Sequence, residues 1–170
     1  VNVTAPTLLC RLLVNDLPRH APAHILNTSS LAGFFALPNK QVYSATKAYL
    51  FWLSRSLHTE LKADNVHVSV LCPGGIDTRW ELLMNHRIHS NWFCRQSILH
   101  PARVAAIALN GLQQNKAVIV PGVWNKIFLL WNRIFPRWLK HHLTRYQMKK
   151  PRPLMTPIPP EVTLTRSVAV

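Results

Sequence analysis

The sequence has 170 residues, 48% of them hydrophobic, and a formal net charge of +14 from 20 Lys and Arg against 6 Asp and Glu. This length allows one domain with a core, and the apolar content excludes a disordered chain. No apolar run reaches the roughly 18 residues that indicate a membrane-spanning helix. The excess of positive charge predicts an acidic partner such as nucleic acid, anionic lipid or a polyanionic substrate.

The first predicted element is a helix that opens near Asn2 and ends at Pro18. Thr4 is predicted to cap this helix, and Pro6 suits its first turn. An apolar stripe runs along it at helical spacing, and it consists of Leu8, Leu9, Leu12, Leu13 and Leu17.

A short buried strand is predicted at 23–27, and two hydroxyl residues, Ser29 and Ser30, follow it. Because α/β folds place their sites at the carboxyl ends of strands, either serine could face a substrate. Residues 31–41 are predicted to form a loop, and the side chains expected to line a pocket there are Phe34, Phe35 and Leu37.

The next predicted element is a helix from 42 to about 64, a stretch without Gly or Pro. Tyr43 and Lys47 are four residues apart, so they share one face of that helix. A free phenol ionises near pH ~10, and a cation a few Å away favours the phenolate. Such a pair is suited to passing a proton near neutral pH.

The rest of the predicted core alternates between strand and helix. Residues 66–72 are β-branched and apolar, and Pro73, Gly74 and Gly75 end that strand sharply. A helix over 101–113 and a strand over 117–120 follow. This alternation predicts an α/β fold with a parallel, doubly wound sheet.

Three features together resemble the short-chain dehydrogenase/reductase family. Ser30 precedes Tyr43 by thirteen residues, Tyr43 and Lys47 form a Tyr-x-x-x-Lys pair, and a Pro-Gly segment lies at 73–78. The resemblance covers residues 1 to about 122. It implies a partial Rossmann-like sheet that contains only the family's later strands.

The resemblance also implies an activity, which is the interconversion of an alcohol and a ketone by hydride transfer. In the family's pattern Tyr43 passes a proton, Ser30 hydrogen-bonds the carbonyl, and Lys47 favours the phenolate and holds the nicotinamide ribose. Asn2 would steady a water in the proton relay. The implied cofactor is NADP or NAD, and the residues implied to bind it are Tyr43, Lys47, Pro73, Gly74, Ile76 and Thr78.

The family's Gly-x-x-x-Gly-x-Gly cofactor motif does not occur among the five glycines of this sequence. The determinants that select NAD or NADP are missing with it. We therefore expect the sequence to be the later part of a longer protein. We also expect the 170-residue chain alone to be inactive and to bind neither cofactor tightly.

The segment 79–100 corresponds to the family's substrate lid. It is rich in aromatic and aliphatic residues, which predicts an apolar substrate such as a fatty acyl or steroid-like ketone or alcohol. Family members often assemble through the helix that carries the tyrosine, so a homo-oligomer is also implied.

Residues 123–150 predict a basic amphipathic helix divided at Pro136, and 151–170 predict a disordered, proline-rich tail. Tryptophans on one face with Lys and Arg between them are typical of a helix lying on an anionic membrane surface. The alternative is that this helix docks on its own domain or on a partner. The predicted domains are therefore 1–122, 123–150 and 151–170.

Other functional classes are disfavoured. Nucleic-acid binding would need aromatic residues on the basic face, and here the tryptophans occupy the opposite face. Cys10, Cys72 and Cys94 lack metal-like spacing, so no metal site is predicted. They fit reduced thiols of a cytoplasmic protein. The helix predicted at 123–150 would place that protein at the periphery of a membrane. The remaining rival is a catalytically inactive fragment that serves as a membrane- or partner-binding module.

Overall fold

The structure is a computed structural model that describes residues 1–37, 40–77 and 97–134. Within it, Val1–Arg133 form one compact unit. Thr78, most of the predicted lid, the kink at Pro136 and the proline-rich tail lie outside the described residues. The regular elements are α1 (Thr4–Leu13), β1 (Ala23–Thr28), α2 (Gln41–Glu60), β2 (Val66–Leu71), α3 (Pro101–Gln113), β3 (Val118–Ile119) and α4 (Val123–Ile134).

The strands form one parallel sheet in the order β1-β2-β3. Ala23 lies opposite Val66 and Thr28 lies opposite Leu71, so β1 and β2 pair along their whole length. The central strand β2 is almost entirely buried, as a parallel strand covered on both faces requires.

Two apolar clusters cover the two faces of the sheet. Since successive side chains of a strand point to opposite faces, Val66 and Val68 lie on one face and Leu71 on the other. The first cluster, which α2 helps to form, consists of Ala23, Leu61, Val66 and Val68. The second, which α3 helps to form, consists of Leu71, Val104, Ala108 and Ile119. The predicted α/β, doubly wound parallel sheet is therefore confirmed.

The first helix differs from the prediction at both ends. The helix begins at Thr4, and its N-cap residue is Val3 rather than Thr4. The Val3 side chain makes no capping hydrogen bond, whereas the Val3 carbonyl accepts a hydrogen bond from the Thr7 hydroxyl, 2.7 Å away. The helix stops at Leu13, and Pro18 instead lies in a 3-10 turn over Leu17–His20. Proline suits the start of such a turn because its φ is fixed and it has no N–H to satisfy.

The second helix ends at Glu60, earlier than predicted, because the chain turns back at Asn65, whose φ of 56° is left-handed. The last strand is shorter than 117–120. The predicted loop at 31–41 begins with a 3-10 turn over Leu31–Phe34. Within the described parts of the chain, no helix is long and apolar enough to cross a bilayer. The domain boundaries stay a prediction.

Candidate active site

The candidate site lies at the carboxyl ends of β1 and β2, where two turns are tied together. The Ser29 amide donates to the Leu71 carbonyl at 2.8 Å, and the Leu31 amide donates to the Pro73 carbonyl at 2.9 Å. These bonds continue the pairing of the two strands beyond their ends. They hold Ser30 beside the segment that begins the Pro-Gly turn.

The structure brings Tyr43 and Lys47 together on the first part of α2. The Lys47 Nζ lies 5.8 Å from the centre of the Tyr43 ring. Nζ also donates a hydrogen bond to the Thr28 carbonyl, 2.9 Å away, at the end of β1. Because an ammonium has three N–H groups, two donors remain for another partner. The Tyr43 side chain is 41% exposed and therefore accessible to a substrate.

The two neighbouring serines have different environments. Ser29 is 2% exposed, and its hydroxyl donates to the Lys47 carbonyl at 2.7 Å. Ser30 is half-buried, and its oxygen accepts the Ala32 amide at 3.1 Å, which caps the 3-10 turn. A hydroxyl that accepts one bond keeps its O–H hydrogen for donation. Ser30 is therefore the serine whose hydroxyl can still bind a carbonyl oxygen.

The other predicted site residues lie at two places. Asn2 is exposed in the turn before α1, and its role stays a prediction. Pro73 is buried and Gly74 and Ile76 are half-buried, all just beyond the carboxyl end of β2. Ile76 forms a parallel bridge with Leu99, which fixes the far side of this turn.

Three further groups support the site, of which the Thr28 carbonyl and Asn125 were not found from the sequence. The Thr28 carbonyl is a backbone group, so its bond to Lys47 leaves no sequence signal. Asn27 is buried, and its Nδ2 donates to Ser54 Oγ at 3.0 Å, which ties β1 to α2 behind the site. Asn125 in α4 packs against the Gly74 turn. A lone asparagine in the otherwise apolar start of a helix was the available signal for Asn125.

Two titratable groups with shifted pKa values lie in the sheet. Burial raises the pKa of the Cys72 thiol to about 12, although a hydrogen bond with Ser29 opposes the shift. Cys72 is thus a neutral, buried thiol at physiological pH rather than a nucleophile. At the opposite end of the strands, burial lowers the pKa of His67, and His24 and His58 lower it further. Among the residues that the structure describes, no group of His, Cys, Asp and Glu could hold a metal ion.

A groove of about 610 Å³ lies beside Tyr43 and Lys47. Its walls come from the loop after Ser30 and from one face of α2, and they include Phe34, Phe35, Leu37, Ser44, Ala45 and Ala48. The predicted pocket-lining role of the three apolar loop residues therefore holds. However, neither Ser30, Tyr43 nor Lys47 lines the groove. It occupies the neighbouring face of the helix and is not itself the reaction site.

Comparison with known families gives a match to the sequence model described as short chain dehydrogenase, over residues 1–87. This match includes Ser30, Tyr43 and Lys47. The chain belongs to the short-chain dehydrogenase family. Its Tyr-x-x-x-Lys pair and the upstream serine thus lie within the part of the chain that defines the family.

Several curated short-chain dehydrogenases are similar to the first half of the chain. The short-chain dehydrogenase/reductase olcF of Penicillium canescens is 36% identical over 78 residues, which are 46% of this chain and 30% of that protein. Very-long-chain 3-oxoacyl-CoA reductase-A of Danio rerio is 34% identical over 79 residues, 46% of this chain and 25% of that protein. The matched part of the chain thus spans under a third of either relative.

Solved structures of short-chain dehydrogenases share the fold. One from Burkholderia cenocepacia J2315, in complex with NADP, has a TM-score of 0.68 at 20% identity and is matched over 84% of this chain and 57% of its own. A bulky-bulky ketone specific alcohol dehydrogenase from Comamonas testosteroni has a TM-score of 0.57 at 22% identity, over 92% of this chain and 54% of its own. At this identity the likeness establishes the fold alone.

Proposed function

We propose that the complete protein is an NAD(P)-dependent oxidoreductase that interconverts an alcohol and a ketone. The observation that carries the proposal is the placement of Lys47 between the Tyr43 ring and the carboxyl end of β1. Family membership supports the same reaction class. Either NADP or NAD fits, because the residues described here do not include a group that would select the adenosine half.

The residues present fit a nicotinamide cofactor. Lys47 keeps two free N–H donors at the carboxyl edge of the sheet, where ribose hydroxyls could accept them. Gly74 and Gly75 follow the end of β2, and Asn125 and Ile98 occupy the space that side chains there would fill, so this turn offers its backbone at the carboxyl edge of the sheet. When bound, the nicotinamide ring supplies the hydride acceptor or donor. The assignment of Pro73, Gly74, Ile76 and Thr78 to this ring belongs to the proposal.

The chain's own side chains would transfer the proton and orient the substrate. In the oxidative direction the alcohol O–H gives its proton to the Tyr43 oxygen, which passes a proton on toward solvent, and the two electrons of the carbinol C–H bond leave with the hydride. Ser30 donates its O–H hydrogen to the same substrate oxygen and fixes the orientation of that oxygen. Lys47 holds its positive charge beside the Tyr43 ring, 5.8 Å from the ring centre. Asn2 is proposed to steady the water through which the proton reaches solvent.

We propose that the substrate is an apolar carbonyl compound or alcohol, such as a fatty acyl or steroid-like ketone. The loop that follows Ser30 carries Phe34, Phe35 and Leu37 into a groove next to the catalytic pair. The names of two similar proteins describe substrates of this kind, which are very-long-chain 3-oxoacyl-CoA for one and bulky-bulky ketones for the other. Neither name defines the substrate of this protein.

A cofactor-oxidation assay tests this function in the complete protein. NADPH and NADH are each offered with a series of ketones of increasing apolar size, and short polar ketones serve as the matched control. We expect turnover that rises with apolar size. The absence of turnover with every ketone, despite binding of the reduced cofactor, would favour the catalytically inactive module.

The alternative function is a membrane- or partner-binding module, and the exposed side chains of α4 are the observation that favours it. Its exposed apolar side chains include Val123, Leu130, Trp131 and Ile134, and Lys126 is also exposed. We propose that this helix adds peripheral contact with an anionic membrane to the enzyme rather than replacing catalysis. Such contact would bring an apolar substrate near the site.

We further propose that the complete protein is a homo-oligomer that buries the outer faces of α1 and α2. The Thr7 and Tyr49 hydroxyls, 2.8 Å apart, join these helices. Large apolar side chains remain exposed on them: Leu8, Leu9, Leu12 and Trp52. Large apolar side chains that stay exposed on a folded protein favour a contact surface at their position. Sedimentation velocity of the complete protein tests this, and a monomer at micromolar concentration would contradict it.

A further inference from the structure

Asn125 in α4 is buried, at 1% exposure. Its Nδ2 donates to the Pro121 carbonyl at 2.7 Å and to the Ser97 carbonyl at 3.3 Å. Burying an amide is costly unless it is hydrogen-bonded, so these two bonds fix its orientation. One side chain thereby connects the end of β3, the start of α4 and the segment that leads into α3.

The same amide packs against the turn that follows β2. A Cβ added to Gly74 would lie 2.7 Å from Asn125 Oδ1 and 3.0 Å from Cγ, so the Gly74 backbone rests directly on the amide. Gly122, whose φ is +87°, approaches Nδ2 from another side, where an added Cβ would lie 3.3 Å away. Glycines at both positions let the backbone come this close.

Backbone bonds secure the turn on either side of Gly74. The Pro73 carbonyl accepts from Leu31, and the Gly75 carbonyl accepts from the Leu99 amide at 3.0 Å. The Asp77 amide in turn donates to the Leu99 carbonyl at 3.1 Å. Gly74 lies between these bonds, and Asn125 contacts it. The Asn125 side chain therefore limits how closely the turn can approach α4.

We propose that Asn125 is a positioning residue for the Gly74–Gly75 turn and, through it, for a bound nicotinamide ring. The second part rests on the proposed function. Removing the amide would leave a cavity against Gly74 and two carbonyls without their donor, so the turn could relax toward α4. Displacements of about 1 Å outside the reacting groups can lower activity by up to about a hundredfold.

The experiment uses the complete protein with Asn125→Ala and Asn125→Asp, since aspartate keeps the shape but loses both donors. Asn110→Ala is the matched control, because Asn110 is exposed on α3 and its amide bonds only locally, to Gln114. Leu61→Ala is a second control, which weakens the other core cluster, a cluster that includes neither Ile76 nor Leu99. Hydrogen exchange is followed at the Asp77 and Leu99 amides, and affinity is measured for nicotinamide mononucleotide, which needs no adenosine site.

We expect both Asn125 variants to exchange about tenfold faster at these amides while β2 stays protected, and to bind the mononucleotide about tenfold more weakly. Asn110→Ala should match the wild type, and Leu61→Ala should lose stability but keep its mononucleotide affinity. Unchanged exchange in Asn125→Ala would overturn the proposal, and so would faster exchange with undiminished affinity. A complete wild-type protein that binds no mononucleotide would contradict the proposed function instead, while exchange alone would still decide whether Asn125 holds the turn.

Discussion

Lys47 donates a hydrogen bond to the Thr28 carbonyl at 2.9 Å while its Nζ lies 5.8 Å from the centre of the Tyr43 ring. The lysine is thus held by the last residue of β1 rather than by the tyrosine. This arrangement anchors a flexible side chain to a rigid strand end. It also keeps the positive charge beside the phenol and leaves two N–H groups for a ligand.

This anchoring predicts that Lys47→Met in the complete protein weakens cofactor binding more than Tyr43→Phe does. Methionine removes the charge, the ribose contact and the donor to Thr28, whereas phenylalanine removes one hydroxyl. We expect the cofactor dissociation constant to rise at least about tenfold, since each lost charge-assisted bond is worth about 1.5–3 kcal/mol. Fluorescence titration with NADPH and NADH measures it. Equal dissociation constants for the two variants would contradict the ribose contact.

The pKa of His67 predicts that the chain loses stability in mild acid. Burial and the nearby His24, His58 and Lys62 lower this pKa in the folded state below 6.5. The unfolded chain therefore binds more protons as the pH falls through and below about 6.5, and the free energy of unfolding decreases. Urea unfolding at about pH 7.5 and about pH 5.5 measures the change. His67→Gln should reduce the loss, and an identical loss in that variant would rule out His67 as its source.

The buried thiol of Cys72 predicts slow chemical modification. With its pKa raised to about 12, the thiol stays protonated at pH values where an exposed cysteine reacts. Alkylation should therefore be much slower in the folded chain than in denaturant at about pH 8.5. Peptide mass spectrometry after iodoacetamide treatment resolves Cys72 from the other cysteines. Equally fast labelling with and without denaturant would show that this part of the sheet opens readily.

The exposed face of α4 predicts membrane binding that combines charge and apolar contact. We expect the complete protein to sediment with anionic vesicles, more strongly at low salt, because each basic residue near the surface adds about 1 kcal/mol. Replacing Leu130, Trp131 and Ile134 with Ser should weaken the salt-insensitive part while Asn125 stays in place. Leu109→Ser, at an exposed position of α3, is the matched control. Equal retention of both variants would instead favour a helix docked on protein.

The sequence predicted the parallel sheet because its elements have strong local signals. The β-branched run at 66–72 and the glycine-free helix around Tyr43 each follow from composition and period. Boundaries were less accurate where tertiary contacts decide them. The Thr7 hydroxyl bonds Val3 and lies beside Tyr49, so the start of α1 depends on a helix that is distant in the sequence.

The candidate site was predictable in its residue types but not in its connections. The spacing of Ser30, Tyr43 and Lys47 can be read directly from the sequence, because these residues lie at one strand end and on the helix that follows it. The bond between Lys47 and the Thr28 carbonyl could not be predicted, because every residue has a backbone carbonyl. Asn125 contacts Gly74 across fifty residues of chain, so no local pattern could link them.

The most direct test of the account is Tyr43→Phe in the complete protein, measured as single-turnover hydride transfer together with cofactor affinity. The ring and its contact with Lys47 remain in this variant, and only the hydroxyl that carries the proton is lost. We predict that hydride transfer falls by at least about a hundredfold, the scale of general acid–base catalysis, while the cofactor dissociation constant stays within about twofold. Substantial transfer at any pH between about 6 and about 9 would contradict the role of Tyr43.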